Sequence, residues 1–517
     1  AAGIPSIVLP TDPIERAYWG DVRLKSKHSQ ITSTCQQANQ TKLEISHQPS
    51  VLFYLDSLKA LNDLKPLICQ FNQLSTIDVH LITHQPNVTV DCHKSVWIHP
   101  VDLLYRHPDW QQFEQLPMRW KHLFTSIQPH LIIHTSPMMR AMQTITNVTS
   151  IYLPSQEIQH ALWMTDLSLD TLTKWHQIDI KLIVTTDKKP HALSRLLTSA
   201  SEAYYLGDSV DLSLLLDVSS DRLTHTFAHR FSWSHGQKSM RHRIAHSSKA
   251  SLFVESWYPS HRHEYAILLH QDLELSPLFY SWAKYSVLKY RYQSDHPDLF
   301  GISLYAPRLI ETDPSGRHLF HQRPSSDYLM QWPSYLGALY FPDHWREFHD
   351  YITARQADTW GMAMQSVVVP NLRSNDWVKS WRRYFEELVY LRGYVMLYPQ
   401  TSYATVHMEL KKKFMTHFGD ALSLYQVPLA NTTHSLLNVD QLPLFDIWGH
   451  PIDQKTLKDR GLALQNQVSA CLPSIAPEDK FDPTDLLCPF GRIVSVELEN
   501  EDDPIPSLLP KEIHVYL

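Results

Sequence analysis

Residues 179–190 read DIKLIVTTDKKP: an apolar run rich in branched residues, a polar turn, then a proline. The run Asp179–Thr185 has the composition of a strand. Pro190 suits the first turn of a helix, where its missing N–H costs nothing. The helix it opens, Pro190–Ala203, carries apolar residues at Ala192, Leu193, Leu196, Leu197 and Ala200, the spacing of a single buried face. Downstream the pattern recurs. Val210–Leu216 (VDLSLLL) is a strand ending at Asp217, and Tyr265–Leu269 is a strand running into Asp272-Leu273-Glu274. Further strands are expected at Leu299–Tyr305 and Gly337–Phe341, and a helix at Asp376–Leu391, capped by Ser374 or Asn375 and stopped by Gly393. Upstream, Val51–Leu55, Ile77–Thr83, Val96–His99, His130–His134 and Ser150–Leu153 read as strands, with helices at Ser57–Phe71 and Asp109–Ile127. Alternating strands and helices imply parallel sheets covered by helices.

The fold class is therefore α/β. The spacing divides the chain into an N-terminal wrap at 1–48, a Rossmann-like α/β domain at 49–177, a second α/β domain at 178–425 with a mixed, mainly parallel sheet, and a C-terminal extension at 426–517 lying over it. Composition removes several alternatives. With 43% apolar and 11% aromatic residues the chain is not disordered, and a net charge of −7 argues against a nucleic-acid or membrane surface by field strength. Glycine is scarce, 13 in 517 residues, and neither G-x-G-x-x-G nor G-x-x-x-x-G-K-[ST] occurs, which argues against a P-loop or standard dinucleotide enzyme. The cysteines, Cys35, Cys69, Cys92, Cys471 and Cys488, show no zinc spacing, and a disulfide between Cys471 and Cys488 would staple the Pro- and Asp-rich tail. Sequons at Asn39, Asn87, Asn147 and Asn431 favour a secretory compartment.

Chemistry concentrates at the ends of three strands. Val184–Pro190 (VTTDKKP), Asp217–Asp221 (DVSSD) and Ala266–Asp272 (AILLHQD) all place polar or acidic residues at the carboxyl edge, where open α/β sheets bind ligands. A carboxylate there is suited to holding Mn2+ or Mg2+ against a diphosphate.

The order V-x-T-x-x-x-P, D-x-S-S-D, a basic segment (Gly236–Ile244) and an acidic strand end resembles that of a GT-A glycosyltransferase of the family-two type. The strings VESWYPS (Val254–Ser260), ELSPLFYSWAKY (Glu274–Tyr285), FGISLYAPR (Phe300–Arg308), YFPDHWREFHDYIT (Tyr340–Thr353) and RSNDWVKSWRRYFEELVYLRGYVMLYP (Arg373–Pro399) are similar to a eukaryotic group of such transferases found in fungi and plants.

The resemblance implies a metal-dependent enzyme that moves a sugar, with inversion, from a UDP- or GDP-linked donor to a glycan or glycoprotein hydroxyl. It implies a GT-A domain at 178–425, Mn2+ or Mg2+ held by Asp272 and His407, and nucleotide contacts from Thr186, Asp217, Lys238 and Arg241, with Arg243 beside them. Glu387, on the flank of the helical stripe formed by Trp377, Trp381, Tyr384 and Leu388, matches the group's glutamate and is the expected general base. Its competing assignment is an ion pair with Arg383 one turn earlier. Trp257, Tyr258, Trp332, Tyr335, Trp345 and Trp377 are candidate sugar platforms. His270 and Gln271 replace two acidic residues of the group's motif, and Val218 replaces a glycine. Those departures keep a second reading open: a silent relative that binds glycan or a partner transferase. A cytosolic nucleotidyltransferase-like enzyme is a third, disfavoured by the sequons. The expected setting is the Golgi or secretory lumen, with a type II anchor ahead of residue 1 and no nucleic-acid partner.

Overall fold

The computed structural model describes residues 48–84, 88–101, 116, 118–244, 253–357, 369–377, 380–407 and 424–468. All but the last residue of the wrap expected at 1–48, with Cys35 and Asn39 in it, Asn87, the first turns of the helix expected from Asp109, and Cys471 with Cys488 lie outside them.

Five strands, β1 (Ser50–Leu55), β2 (Asp78–Thr83), β3 (Trp97–Pro100), β4 (Leu131–His134) and β5 (Thr149–Tyr152), form a sheet in the order β3-β2-β1-β4-β5. Every pairing in it is parallel. Helix α1 (Leu58–Gln73) follows β1, and the Ser57 hydroxyl caps it by accepting from the Ala60 amide at 3.1 Å. Helix α2 (Met118–Ile127) buries Trp120 and Phe124. Cys69 and Cys92 form a disulfide that ties α1 to the segment entering β3.

The second sheet has nine strands among the described residues. In chain order they are β6 (Asp179–Thr186), β7 (Leu212–Leu216), β8 (Lys238–His242), β9 (Glu264–His270), β11 (Leu299–Ser303), β12 (Tyr328–Met330), β13 (Ala338–Tyr340), β14 (Val395–Tyr398) and β16 (Leu444–Phe445). A separate antiparallel pair joins β10 (Leu273–Leu275) to β15 (Ala404–Val406). The large sheet runs β16-β12-β14-β11-β13-β9-β6-β7-β8. Its β9-β6-β7-β8 half is parallel, and antiparallel pairings enter at β13 and β12. This is the mixed, mainly parallel sheet that the strand spacing implied.

Alternation along β6 explains why both faces are covered. Leu182 and Val184 point into one core with helix α3 (Pro190–Ser201) and helix α5 (Phe279–Val287). Ile183 points into the other, with α6 (Pro342–Ala357) and α7 (Trp381–Arg392). Helix α3 buries the five expected residues, Ala192, Leu193, Leu196, Leu197 and Ala200. Helix α4 (Arg222–Arg230) lies between β7 and β8, capped by Asp221. The first core extends without a break into the five-stranded sheet. Trp163 stacks on Trp175 and on Tyr285, and the buried Lys284 ammonium donates to the Trp175 carbonyl at 2.7 Å and to Asp208 at 2.8 Å.

Two expectations change. The helix expected from Asp376 begins at Trp381, with Ser380 as its cap; Arg373–Asp376 form a separate 3₁₀ turn. Gly393, at φ +68°, does end it. The segment after 425 does more than lie over the domain, because Leu444–Phe445 supplies the edge strand and α8 (Gln454–Val468) shares with α7 the second core. Among the described residues no helix is long and apolar enough to cross a membrane.

Candidate functional site

The parallel trio β7-β6-β9 brings three strand ends together. Thr186 lies opposite Leu216 in register, and Thr185 opposite His270, so the β6–α3 loop, Asp217 and the Gln271-Asp272 pair share one edge. The Asp217 amide donates to the Thr186 carbonyl at 3.0 Å. Its carboxylate accepts the Ser219 hydroxyl at 2.7 Å. Burial pushes the Asp217 carboxyl up, but the bonds from Ser219 outweigh it and hold the group below its usual range. The backbone at Val218 stays out of the left-handed region, so the loop accommodates a branched residue there.

Gln271 is fully buried and acts as a staple. Its Oε1 accepts the Thr186 hydroxyl at 2.6 Å and the Asp187 amide at 3.1 Å, while its Nε2 donates to the Asp187 carboxylate. A glutamate there would face Asp187 with like charge. The neutral amide at 271 therefore matches the carboxylate at 187, and Asp187, just past β6, carries the negative charge of this pair.

Asp272 is 6% exposed, and both of its oxygens accept from the Lys189 ammonium, at 2.8 and 3.0 Å. Lys189 is the residue preceding α3, next to Pro190 at the helix start. Across the β10–β15 pair the His407 amide donates to the Asp272 carbonyl at 2.8 Å. The His407 ring reaches the next residue on that face: Nε2 lies 2.6 Å from Glu274, and Nδ1 lies 2.9 Å from the Gln426 amide nitrogen. A carboxylate cannot donate and an amide nitrogen cannot accept. His407 therefore carries its proton on Nε2 and gives it to Glu274.

Asp272 and His407, expected together as metal ligands, thus share one strand pair but have other partners. A divalent cation fits them poorly. The carboxylate already holds an ammonium, both imidazole nitrogens are engaged, and the neighbouring position is the neutral Gln271. Elsewhere among the described residues, Asp179, His261 and Glu264 bring three ligand atoms within 4.8 Å of one another. They lie at the opposite edge of the sheet, where Lys181 stands 3.1 Å from Glu264 and 3.6 Å from Asp179.

The other expected residues divide. Lys238 Nζ donates to the carbonyls of Ala228, His229 and Phe231, at 3.1, 3.0 and 2.5 Å, closing the C-terminus of α4. Arg241 is exposed on the edge strand β8 and donates to the Ser256 carbonyl at 2.8 Å. Arg243 pairs with Glu255 at 2.8 Å, and its charge also lowers the Asp217 carboxyl.

Glu387 is corrected outright. It is 0% exposed, and its oxygens accept from Tyr351 Oη at 3.0 Å, Arg355 Nε at 3.1 Å, Arg355 Nη2 at 3.2 Å and Arg383 Nε at 3.0 Å. Its four lone-pair positions are filled inside the α6–α7 interface, so it has nothing to offer an acceptor hydroxyl. Among the aromatic candidates, Trp257, Trp332 and Trp345 are core residues, whereas Tyr258 is 41% exposed. Tyr335 and Trp377 flank the Arg382 guanidinium at 4.1 and 4.7 Å.

That arginine belongs to a buried network beside the site. Glu311 accepts from Arg382 and Arg317, each at 2.9 Å, and from the hydroxyls of Tyr335 at 2.8 Å and Tyr425 at 2.7 Å. Tyr425 precedes Gln426, so the network anchors the segment that orients His407. Lys189, Glu274 and Gln426 were not singled out as site residues from the sequence. Lys189 had a signal, its place in the VTTDKKP turn; Gln426 had none.

The family model described as the SPBC1E8.03c C-terminal domain matches residues 191–359. No curated protein matches the chain. Among solved structures, S. aureus TarS is similar over 44% of this chain and 60% of its own, at 9% identity and a TM-score of 0.25. The mannosyltransferase PcManGT from Pyrobaculum calidifontis, solved with GDP-Man and Mn2+, is similar over 52% of this chain and 71% of its own, at 11% identity and a TM-score of 0.29. TarS with UDP-GlcNAc gives 9% identity, 48% and 64% coverage and a TM-score of 0.26. The chain therefore spans less than two thirds of the TarS structures. At such TM-scores these likenesses carry no weight for the chemistry of this chain, which rests on its own residues.

Proposed function

We propose that the protein is a GT-A glycosyltransferase that binds a nucleotide-diphosphate sugar, UDP- or GDP-linked, and transfers the sugar with inversion to a glycan or glycoprotein hydroxyl. The observation that carries this reading is the meeting of Thr186, Asp187, Asp217, Lys189 and Asp272 at the carboxyl edge of β7-β6-β9. Asp217 and the Thr186 turn are suited to a nucleoside, and the ammonium before α3 is suited to its diphosphate.

With Glu387 buried, the base in this reading is Glu274, two positions past Asp272. Its side chain is 36% exposed, and the Nε2–H of His407 orients it. In the step it serves, the acceptor oxygen attacks the anomeric carbon, the bond to the diphosphate oxygen breaks, and the acceptor proton passes to Glu274. The experiment is calorimetric titration with UDP-GlcNAc, GDP-Man and a CDP-sugar. At least one should bind, and Asp217→Ala should weaken it by ~1–3 kcal/mol. Glu274→Gln should leave binding intact and cut transfer by about 10²–10⁴. Failure of every nucleotide sugar to bind would refute the reading.

The silent-relative reading is favoured by His270 and Gln271 in place of two acidic residues, and donor binding without any transfer or hydrolysis would select it. A secretory-lumen location is supported by the exposed sequons Asn147 and Asn431 and by the Cys69–Cys92 disulfide, a bond of oxidising compartments.

A further inference from the structure

Lys189 occupies the position that a divalent cation would need. Its ammonium is shared by both oxygens of Asp272, a carboxylate almost closed to solvent, while the lysine side chain itself stays 35% exposed. A cation binding Asp272 would have to expel that ammonium and then tolerate it nearby. The Asp187 carboxylate at the same edge already accepts from Gln271 Nε2 and from the Lys188 amide, and position 271 itself is an amide used up by Thr186 and Asp187. The imidazole across the strand pair holds Glu274 with one nitrogen and Gln426 with the other. The charges point the other way as well. An ammonium has three N–H donors, and Asp272 takes two of them, so Lys189 keeps one for an anion. It stands at the start of the 12-residue helix α3, whose amides and dipole also favour negative charge.

We infer that the donor diphosphate is neutralised by Lys189, held in place by Asp272, and that donor binding needs no divalent cation. Asp272 is in this account a positioning residue: it fixes the lysine and touches no phosphate. The inference rests on the nucleotide-sugar reading above and assigns its donor site a resident charge.

The test is calorimetric titration of the full chain with UDP, GDP, UDP-GlcNAc and GDP-Man, in EDTA and again with Mn2+. The nucleotide that binds should do so with affinities within about three-fold in the two conditions. Lys189→Gln should weaken binding in EDTA by about ten-fold or more, the loss expected of a charge-assisted phosphate contact, while Lys189→Arg should retain most of it. Lys189→Gln also removes the ammonium from Asp272, leaving it only the His270 ring at 3.5 Å, so Mn2+ should now improve binding where it did not before. Asp272→Asn should weaken binding in EDTA without creating any response to Mn2+. Thermal melts of each variant, matched to the parent, keep a folding defect from imitating the result. If the parent binds donor with Mn2+ and loses it in EDTA, the inference fails and the transferase reading stands. Lys189→Gln binding as tightly as the parent in EDTA overturns it too. Absence of binding under every condition removes the transferase reading and this inference together.

Discussion

Glu387→Gln is the substitution that most sharply separates a buried structural carboxylate from a catalytic base. The side chain is fully buried and accepts four hydrogen bonds, three of them from the guanidinium groups of Arg355 and Arg383. A glutamine of the same shape keeps one oxygen and turns the other into an NH2 that faces donors. If the amide nitrogen takes the Oε2 position, the bond from Arg355 Nε becomes a clash between donors and the Tyr351 hydroxyl must turn to accept, losing its bond to a charged oxygen. If it takes the Oε1 position, those from Arg355 Nη2 and Arg383 are lost. Either way two charge-assisted bonds disappear, at about 1.5–3 kcal/mol each. Arg355, with a side chain only 4% exposed, is left with no counter-charge from this carboxylate. The expected loss of stability is therefore ~3–5 kcal/mol, the range for breaking a buried pair by removing one partner. With an m-value of roughly 3 kcal/mol/M, the urea midpoint should fall by about 1–1.7 M. Tryptophan fluorescence would follow the transition. The double variant Glu387→Gln/Arg383→Met should lose less than the sum of its parts, with a coupling of about 0.5–3 kcal/mol. The reasoning is refuted if Glu387→Gln keeps the parent midpoint and donor affinity and loses only transfer.

Other expectations follow from neighbouring features. Burial pushes Glu311 up, but Arg382, Arg317 and the hydroxyls of Tyr425 and Tyr335 more than offset it and hold the carboxyl at about 2 instead of 4.5. Its contribution, about 3 kcal/mol, is present above the unfolded value and is lost as pH falls from 4.5 towards 2; acid titration of Glu311→Gln should show a shallower fall in stability over that window. Lys238→Met removes the cation at the end of α4 and should cost ~1–2 kcal/mol in urea unfolding. A ten-fold loss of donor affinity in that variant would instead return Lys238 to the phosphates. In a eukaryotic secretory host, intact mass should show glycan on Asn147, Asn431 or both, and a non-reducing peptide map should recover Cys69 joined to Cys92. A bare mass with free thiols would argue against the lumen.

What the sequence alone determined was local. The stripe of α3, the helix after β1, the strands flanking the VTTDKKP turn and the stop at Gly393 follow from periodicity and from single residues acting on their own backbone, so they could be read directly. The three strand ends were legible for the same reason, since apolar runs that finish in Asp or Thr show where a sheet edge lies. Local rules gave out at the start of α7: the cap expected at Ser374 or Asn375 lies in a separate 3₁₀ turn, and Ser380 caps the helix instead. They reached the Glu387–Arg383 pair, one helical turn apart, and failed where a charge chose a partner distant in the chain. The helical wheel placed Glu387 on a flank but could not say that the flank faces Arg355 and Tyr351 of α6, more than thirty positions earlier in the chain. Lys189 and Asp272 are 83 positions apart, and Gln271 and Thr186 are 85 apart. Only the register of β6 on β9 brings those side chains within hydrogen-bonding distance. Charges act through space and over a few ångströms, and no pattern along the chain records which distant strand will lie beside them.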